Sequence, residues 1–296
     1  MVAKQSGKHL VENSKGLFIT DLDGTLLNDQ RQISPDDAAA LQRMRRQGLQ
    51  VALATGRSAY SLERLINTLE PAGALPDLPF DYVIFSTGAG IMDYPRRRIL
   101  RNLGLDAGDV LKIVSLLENL RLDYMIHKKI PETAHFLYAQ HTADNLDFLR
   151  RLDIYKDFGA SVSAAGLASF GEATEVLCIV PEVGGHAVAA RLLEICKEFS
   201  VIKATSPNDG RSLWIEIFAS GVSKSQAARW LVDLLGLDRQ QVCGVGNDYN
   251  DEDLLHWAGQ SFVVANSPPS LRKGFPIVAA NTHGGVAEAA ARWLGW

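Results

Sequence analysis

The sequence predicts an α/β protein with a Rossmann-like, doubly wound and mainly parallel sheet, interrupted by an inserted α+β domain. Leu17–Thr20, Val51–Ala54 and Tyr82–Phe85 are short apolar runs with the composition of strands buried in a parallel sheet. Each run leads into small or polar residues, and helical patterns separate the runs, as in a doubly wound fold. This alternation is lost near residue 93 and returns near residue 208, which indicates an insertion.

Capping signals place the helices of the core. Ser34 is a suitable N-cap and Pro35 suits a first helical position, so a helix is expected to run to about Gly48. Ser58–Leu69 is predicted to be the next helix, and Val222–Leu235 a later one because its apolar residues recur at helical spacing. Further core strands are predicted at Val242–Val245, Phe262–Ala265 and Ile277–Ala279.

The insertion contains strand-like runs with fewer regular helices between them. These runs are Tyr124–His127, His135–Tyr138 and Val176–Val180, and Pro207–Gly210 is a strong turn signal near the exit. The predicted domains are a core formed by residues 1–92 and 208–296, with 1–15 as a flexible tail, and an insertion formed by residues 93–207.

Composition limits the possible partners. The chain has 296 residues, 47% hydrophobic, and its net charge of −4 provides no global positive field for nucleic acid or an anionic membrane. No apolar run approaches the roughly 18 residues that a membrane-spanning helix needs. The three cysteines fit neither a disulfide framework nor a zinc site, and the first sixteen residues lack a signal-peptide pattern, so a cytoplasmic location is expected.

Oxygen-bearing side chains follow two of the predicted strands. Asp21 and Asp23 come directly after the first strand, and Asn247–Asp251 follow a later one. The carboxyl ends of parallel strands meet at one edge of a sheet, where ligands bind. Because Mg²⁺ prefers hard oxygen ligands, these residues predict a Mg²⁺ site.

A phosphate site is predicted at the same edge. Thr55 and Gly56 follow the second strand and offer a hydroxyl group and backbone N–H groups. Lys224 offers a cation at a helix N-terminus, where the helix dipole also favours an anion.

Four segments in this order resemble the motifs of haloacid dehalogenase-like phosphatases. They are Asp21–Leu27, Ala54–Arg57, Gly221–Lys224 and Gly246–Asp251. The insertion resembles the large α+β cap, of the C2B type, found in the Cof-type subgroup of that superfamily. The resemblance implies a Rossmann-like core with a cap domain over its catalytic edge.

The resemblance also implies residue roles. Asp21 would be the nucleophile that forms an aspartyl-phosphate, and Asp23 the acid that protonates the leaving group and then the base that activates water. The implied Mg²⁺ ligands are Asp21, the backbone carbonyl of Asp23, Asn247 and Asp251, with Asp251 either binding the ion or orienting a water on it. The implied phosphate-binding residues are Thr55, Gly56, Lys224 and Asn250.

The last motif departs from the family pattern, because Asn247 stands where an aspartate is expected. Its amide oxygen can still bind a metal, with one negative charge fewer, and the neighbouring Asp248 is the alternative ligand. Arg57 is expected either to reach the substrate or to pair with an acidic neighbour. The histidines of the insertion are interpreted as packed or exposed side chains that do not bind a metal: His127, His135 and His141.

The expected function is Mg²⁺-dependent hydrolysis of a small phosphomonoester, a sugar phosphate or related metabolite, through an aspartyl-phosphate. A phosphomutase or phosphotransferase is the first alternative, since the same intermediate serves both reactions. A non-catalytic protein that binds a phosphorylated metabolite is the second, motivated by Asn247. Carbon–halogen hydrolysis is disfavoured because it has no evident need for Asp23 or magnesium.

Overall fold

The computed structural model describes residues 14–69 and 78–296, so most of the predicted tail lies outside the described residues. The strands are β1 (Leu17–Thr20), β2 (Gln50–Ala54), β3 (Tyr82–Phe85), β4 (Gly90–Asp93), β5 (Arg98–Asn102), β6 (Tyr124–Lys128), β7 (Phe136–Ala139), β8 (Gly159–Ser161), β9 (Ala173–Val180), β10 (Ser200–Thr205), β11 (Leu213–Phe218), β12 (Val242–Gly246), β13 (Gln260–Val264) and β14 (Ile277–Val278). The helices are α1 (Pro35–Arg46), α2 (Ala59–Leu69), α3 (Ala107–Leu120), α4 (Leu146–Ile154), α5 (Ala164–Phe170), α6 (Glu182–Ile195), α7 (Lys224–Leu235), α8 (Glu252–Trp257), α9 (Pro269–Gly274) and α10 (Gly285–Leu294).

The core sheet has the strand order β14-β13-β12-β1-β2-β3-β4-β5. The neighbours from β14 to β3 are parallel, and β4 and β5 add an antiparallel hairpin. Because β1 lies between β2 and β12, the loops that follow these three strands meet at one edge. The predicted fold class is confirmed.

Helices cover both faces of this sheet because successive strand residues point to opposite sides. Phe18 packs in a cluster with Leu41 of α1, and the next residue, Ile19, packs in a separate cluster with Leu231 of α7. Both faces of the sheet are therefore covered by apolar side chains, which leaves the polar chemistry to the strand ends.

The insertion folds around a second sheet with the order β10-β11-β9-β6-β7-β8. Its strands are antiparallel except for the pair β7 and β8. On one face Val176 and Cys178 of β9 pack with apolar residues of α3 and α6. The alternate residues, among them Glu175 and Leu177, lie on the opposite face, toward the core.

Sheet membership shifts the predicted boundaries of the insertion. β5 pairs with β4 in the core sheet, so the core continues past residue 93 through an antiparallel hairpin. β11 pairs with β9 and β10 in the second sheet, so the predicted turn at 207–210 lies between two strands of the insertion. The boundaries at 92/93 and 207/208 are therefore wrong, because sequence continuity does not reveal which sheet a short strand joins.

Within residues 14–69 and 78–296, no helix combines the length and apolarity needed to cross a membrane.

Candidate active site

A cavity of about 980 Å³ lies between the carboxyl edge of the core sheet and the sheet of the insertion. Both sheets line it, with Asp21 and Thr55 on the core side and Glu175 and Glu216 on the insertion side. The predicted loops therefore face a common space, as expected for a doubly wound sheet.

The loop after β1 presents one buried and one partly exposed carboxylate. Asp21 is only 5% exposed, and its backbone N–H donates to the carbonyl of Val245 at 2.9 Å, which extends the pairing of β1 with β12. The Asp23 side chain is 37% exposed. Gly24 has a φ of +77°, and a Cβ there would lie 2.5 Å from the Asn247 amide nitrogen, so only glycine permits this turn.

Lys224 joins two of the predicted site residues. Ser223 caps α7 by accepting from the backbone N–H of Gln226, which places Lys224 at the first helical position. The lysine is fully buried, and its Nζ donates to Asp21 Oδ1 at 2.8 Å and to Asp251 Oδ1 at 2.6 Å. Charge-assisted bonds of this length are strong in a buried site.

Burial is the largest single influence on the pKa values of Asp21 and Lys224. The pKa of Asp21 is raised to about 7, first by burial and then by repulsion from Asp251, while Lys224 opposes the shift. Burial alone would lower the pKa of Lys224, but the Asp21 and Asp251 carboxylates raise it above its usual range. The lysine is therefore the fixed positive charge of the site.

Asp251 organises the loop after β12. Its Oδ2 accepts from the backbone N–H groups of Asn247 at 2.9 Å and Asp248 at 3.1 Å, while Oδ1 accepts from Lys224. Protein donors thus engage both oxygens, so Asp251 fits the orienting role better than direct metal binding. Its role in binding Mg²⁺ remains a prediction.

Of the two alternatives for the metal ligand, Asn247 lies beside Asp21 and Asp23. Asp248 instead accepts from the backbone N–H of Thr205 at 2.7 Å and from its hydroxyl group at 2.9 Å, and so ties the loop to β10 of the insertion.

The amide group of Asn247 can adopt two orientations. One of its atoms lies 3.2 Å from Asp21 Oδ2, 3.1 Å from the backbone oxygen of Asp23 and 3.1 Å from Thr25 Oγ1. With nitrogen in that position, the amide donates to these oxygens. With oxygen there, it accepts from the Thr25 hydroxyl group and faces the acceptor oxygens of Asp21 and Asp23, an arrangement that a bound cation would favour.

These oxygens fit a magnesium ion. Adjacent ligands of an octahedral Mg²⁺ are separated by about 3 Å, which the Asn247 contacts approach. Within residues 14–69 and 78–296, no group of three or more His, Cys, Asp or Glu side chains is arranged to hold a metal. Such a group is not needed here, because an amide and a backbone carbonyl could supply part of a ligand set.

The loop after β2 brings together the other predicted phosphate contacts. Thr55 is buried, and its hydroxyl oxygen accepts from the backbone N–H of Arg57 at 3.0 Å. Gly56 is next to Asn250, since a Cβ on Gly56 would lie 3.4 Å from the amide nitrogen of Asn250. Arg57 donates to both oxygens of Asp23, at 2.7 and 2.6 Å, so it pairs with an acidic neighbour.

Comparison with known proteins decides the family. A family model described as haloacid dehalogenase-like hydrolase matches residues 18–289. The chain belongs to the haloacid dehalogenase-like hydrolases. The predicted resemblance is confirmed.

Individual relatives of this hydrolase are distant but cover nearly its whole length. It is 24% identical to putative phosphatase YxeH of Bacillus subtilis, over 90% of this chain and 94% of the relative. It is also 24% identical to 5-amino-6-(5-phospho-D-ribitylamino)uracil phosphatase YitU of Bacillus subtilis, over 94% of this chain and 97% of that protein.

Solved structures show the same fold. The hydrolase superposes on BT1666 of Bacteroides thetaiotaomicron with a TM-score of 0.75 and 17% identity, covering 100% of this chain and 98% of the other. It superposes on the subclass IIB sugar phosphatase BT4131 with a TM-score of 0.72 and 15% identity, covering 95% and 99%.

Sequence reasoning missed four polar residues of the hydrolase that line the insertion side of the cavity. They are His127, Arg151, Glu175 and Glu216. Of these, only His127 was considered, and it was interpreted as a packed or exposed side chain. A signal did exist, because Glu175 and Glu216 each interrupt an otherwise apolar strand, and a charge buried in a strand needs a reason.

Proposed function

We propose that this hydrolase is a magnesium-dependent phosphatase that cleaves a small phosphomonoester, a sugar phosphate or related metabolite, through an aspartyl-phosphate on Asp21. The observation that carries the proposal is the placement of Asp21 at the base of the cavity, bonded to the buried Lys224. The phosphatase names of the relatives support the reaction class. The three cysteines are buried and free, which supports a reducing, cytoplasmic setting.

In the first step the Asp21 carboxylate attacks phosphorus, and the bond from phosphorus to the ester oxygen breaks. Asp23 gives a proton to the departing alkoxide. In the second step Asp23 takes a proton from water, the water oxygen bonds to phosphorus, and the bond to Asp21 breaks. Inorganic phosphate leaves and both aspartates return to their starting states.

Asp23 has to change partners during this cycle. Arg57 occupies both of its carboxylate oxygens, and the side chain is 37% exposed, so Asp23 has room to turn. It must leave Arg57 and take up a proton from solvent before it can protonate the leaving oxygen. Arg57 then remains near the substrate.

The same residues would hold Mg²⁺ and phosphate. Asp21, the carbonyl of Asp23 and Asn247 would bind the ion, with Asp251 fixing the loop that carries Asn247. Bound Mg²⁺ supplies charge that offsets repulsion between the carboxylate and the phosphate and favours ionised Asp21. The residues proposed to bind the phosphate oxygens are Thr55, Gly56, Lys224 and Asn250.

The test is phosphate release from an aryl phosphate and a panel of sugar phosphates, with Mg²⁺ and with EDTA. We expect Asp21→Asn to lower kcat at least about a thousandfold, because the nucleophile is lost. Asp36→Asn is the matched control, since Asp36 is exposed on the first turn of α1, and it should keep the wild-type rate.

The outcomes separate the alternatives. Release without a bisphosphate activator favours hydrolysis over a mutase. No turnover, together with tight binding of a phosphometabolite, would refute the phosphatase and leave a binding protein. Equal activity of wild type and Asp21→Asn would refute the aspartyl-phosphate.

A further inference from the structure

Four polar side chains form a cluster on the insertion side of the cavity, which we name the cap cluster: His127, Arg151, Glu175 and Glu216. Strand alternation explains why three of them share a face. His127 of β6 is the register partner of Glu175 of β9, and Glu216 of β11 is the partner of Leu177, two residues along β9. Arg151 reaches the same space from α4.

The cap cluster contains polar atoms that have no protein partner. Glu175 is only 7% exposed, yet its Oε2 accepts no hydrogen bond from the described residues. The buried Nε of Arg151 likewise has no acceptor in residues 14–69 and 78–296. Buried polar atoms are nearly always paired, so an unpaired acceptor and an unpaired donor lining one cavity point to a ligand that pairs with both.

The donor is held in a fixed direction. Arg151 lies 4.4 Å over the ring of Trp214, and its Nη2 lies 3.4 Å from Nε2 of His127. His127 Nδ1 donates to the carbonyl of Thr133 at 3.1 Å, which leaves Nε2 as the acceptor that faces Arg151. These contacts engage Nη2 and the face of the guanidinium group, so that Nε can donate to a ligand.

The charges of the cap cluster nearly cancel. Burial raises the pKa of Glu175 to about 8, with repulsion from Glu216 adding to the shift, and burial raises the pKa of Glu216 to about 7. Burial and repulsion therefore disfavour ionisation of both carboxyl groups together, and Arg151 supplies one positive charge beside them. A ligand with its own net charge gains little here, whereas hydroxyl groups both donate and accept.

The cap cluster is close to the phosphate loop. Glu216 accepts from the hydroxyl group of Thr87 at 2.7 Å, and a Cβ on Gly56 would lie 3.9 Å from Glu216 Oε1. A phosphate held at Gly56 would therefore place a small leaving group against the cap cluster.

We propose that Glu175 and Arg151 are specificity-determining residues that bind hydroxyl groups of the leaving group, so that an uncharged polyol or sugar is selected over a leaving group bearing a carboxylate or an ammonium. Glu175 Oε2 accepts from one hydroxyl group, and Arg151 Nε donates to the same or a neighbouring oxygen. This proposal rests on the proposed phosphatase function.

The test compares glucose phosphate, which is neutral apart from its phosphate, with glucosamine phosphate, which adds an ammonium group, and with phosphogluconate, which adds a carboxylate. An aryl phosphate without hydroxyl groups is the reference substrate. Wild type is expected to favour glucose phosphate by at least about tenfold in kcat/KM over the two charged sugars. Glu175→Leu removes an unpaired buried carboxyl group, so the variant should fold. Its kcat/KM for glucose phosphate should fall at least about tenfold more than that for the aryl phosphate.

Two further variants exclude a merely structural effect. Glu175→Gln keeps an acceptor oxygen and should retain more glucose phosphate activity than Glu175→Leu. Glu172→Leu is the matched control: Glu172 is exposed, outside the cavity lining, and pairs with Lys129, so the variant should keep the wild-type substrate profile. An equal loss on all substrates, no loss, or a preference for either charged sugar would overturn the proposal.

Binding without turnover separates this proposal from the phosphatase itself. Calorimetry of glucose phosphate with Asp21→Asn, with and without Glu175→Leu, should show at least about tenfold weaker binding in the double variant. Unchanged affinity would overturn the role of Glu175 even if wild type is a phosphatase. No phosphate release by wild type, with this affinity difference present, would instead overturn only the phosphatase.

Discussion

Buried charged side chains are paired with one another on one side of the cavity and are left partly unpaired on the other. On the core side, which we call the floor, Lys224 bonds to Asp21 and Asp251, and the remaining oxygen of Asp251 accepts two backbone N–H groups. On the cap cluster side, Glu175 Oε2 and Arg151 Nε have no partner within the described chain.

This difference matches the two parts of a phosphomonoester. The phosphoryl group is the same in every substrate, so the residues that bind it can be fixed in advance by bonds to one another. The leaving group varies, and the groups that select it gain their partners only when it binds. Under the two proposals, the floor would carry out the reaction and the cap cluster would select the substrate.

Lys224→Met is expected to destabilise the floor more than the other variants do. The variant leaves Asp21 and Asp251 buried without their cation, so the free energy of unfolding in EDTA should fall by about 3–5 kcal/mol. Urea titration followed by circular dichroism measures this loss. EDTA is needed because a bound cation could replace part of the lysine charge.

Lys273→Met is the control for that comparison, because Lys273 is exposed on α9. It should change the free energy of unfolding by less than about 0.5 kcal/mol. A similarly small loss for Lys224→Met would mean that the floor is not organised by the lysine charge.

Asn247→Asp sharpens the comparison by giving the floor the aspartate that the family pattern expects. The added charge faces Asp21 Oδ2, so we expect a lower melting temperature in EDTA and about tenfold tighter Mg²⁺ binding, equal to about 1.4 kcal/mol. Thermal unfolding and calorimetric titration with Mg²⁺ measure the two effects.

Asn102→Asp adds the same charge at an exposed position on β5 and should leave Mg²⁺ affinity unchanged. Equal Mg²⁺ affinity of wild type and Asn247→Asp would show that residue 247 does not bind the ion.

The floor could be predicted from the sequence because each of its residues belongs to a short contiguous motif at a strand end or helix start. Asp21 and Lys224 are 203 positions apart, yet the motif around each residue predicts by itself a position at the carboxyl edge of the sheet. The bond between Asp251 and Lys224 was not predicted, since it depends on the direction in which a buried side chain points.

The cap cluster could not be predicted in the same way. Glu175 and Glu216 are single residues in separate strands, and they meet through antiparallel pairing across long sequence distances. β11 itself was assigned to the core, because the turn before it was interpreted as the exit from the insertion. Register within a sheet decides which isolated charges share a face, and no local motif encodes it.

His127 gives the smallest and most specific test of the cap cluster. Burial, together with the positive charge of Arg151, lowers the pKa of His127 to about 3. The unfolded chain, with a histidine pKa of about 6.5, takes up the proton first as pH falls, so His127 destabilises the fold below that value. Between pH 7.5 and 6.0, wild type should lose about 0.8 kcal/mol more than His127→Gln.

Urea unfolding of both proteins at the two pH values measures this difference. Glu175, Glu216 and Asp21 have raised pKa values and act with the opposite sign, but they are present in both proteins and cancel in the comparison. His256 is exposed, so His256→Gln should lose as much free energy of unfolding between the two pH values as wild type does. If wild type and His127→Gln respond alike, the pKa of His127 is not lowered in the fold, and a histidine that gains a proton as readily as in the unfolded chain cannot hold the Arg151 guanidinium group in place for a ligand.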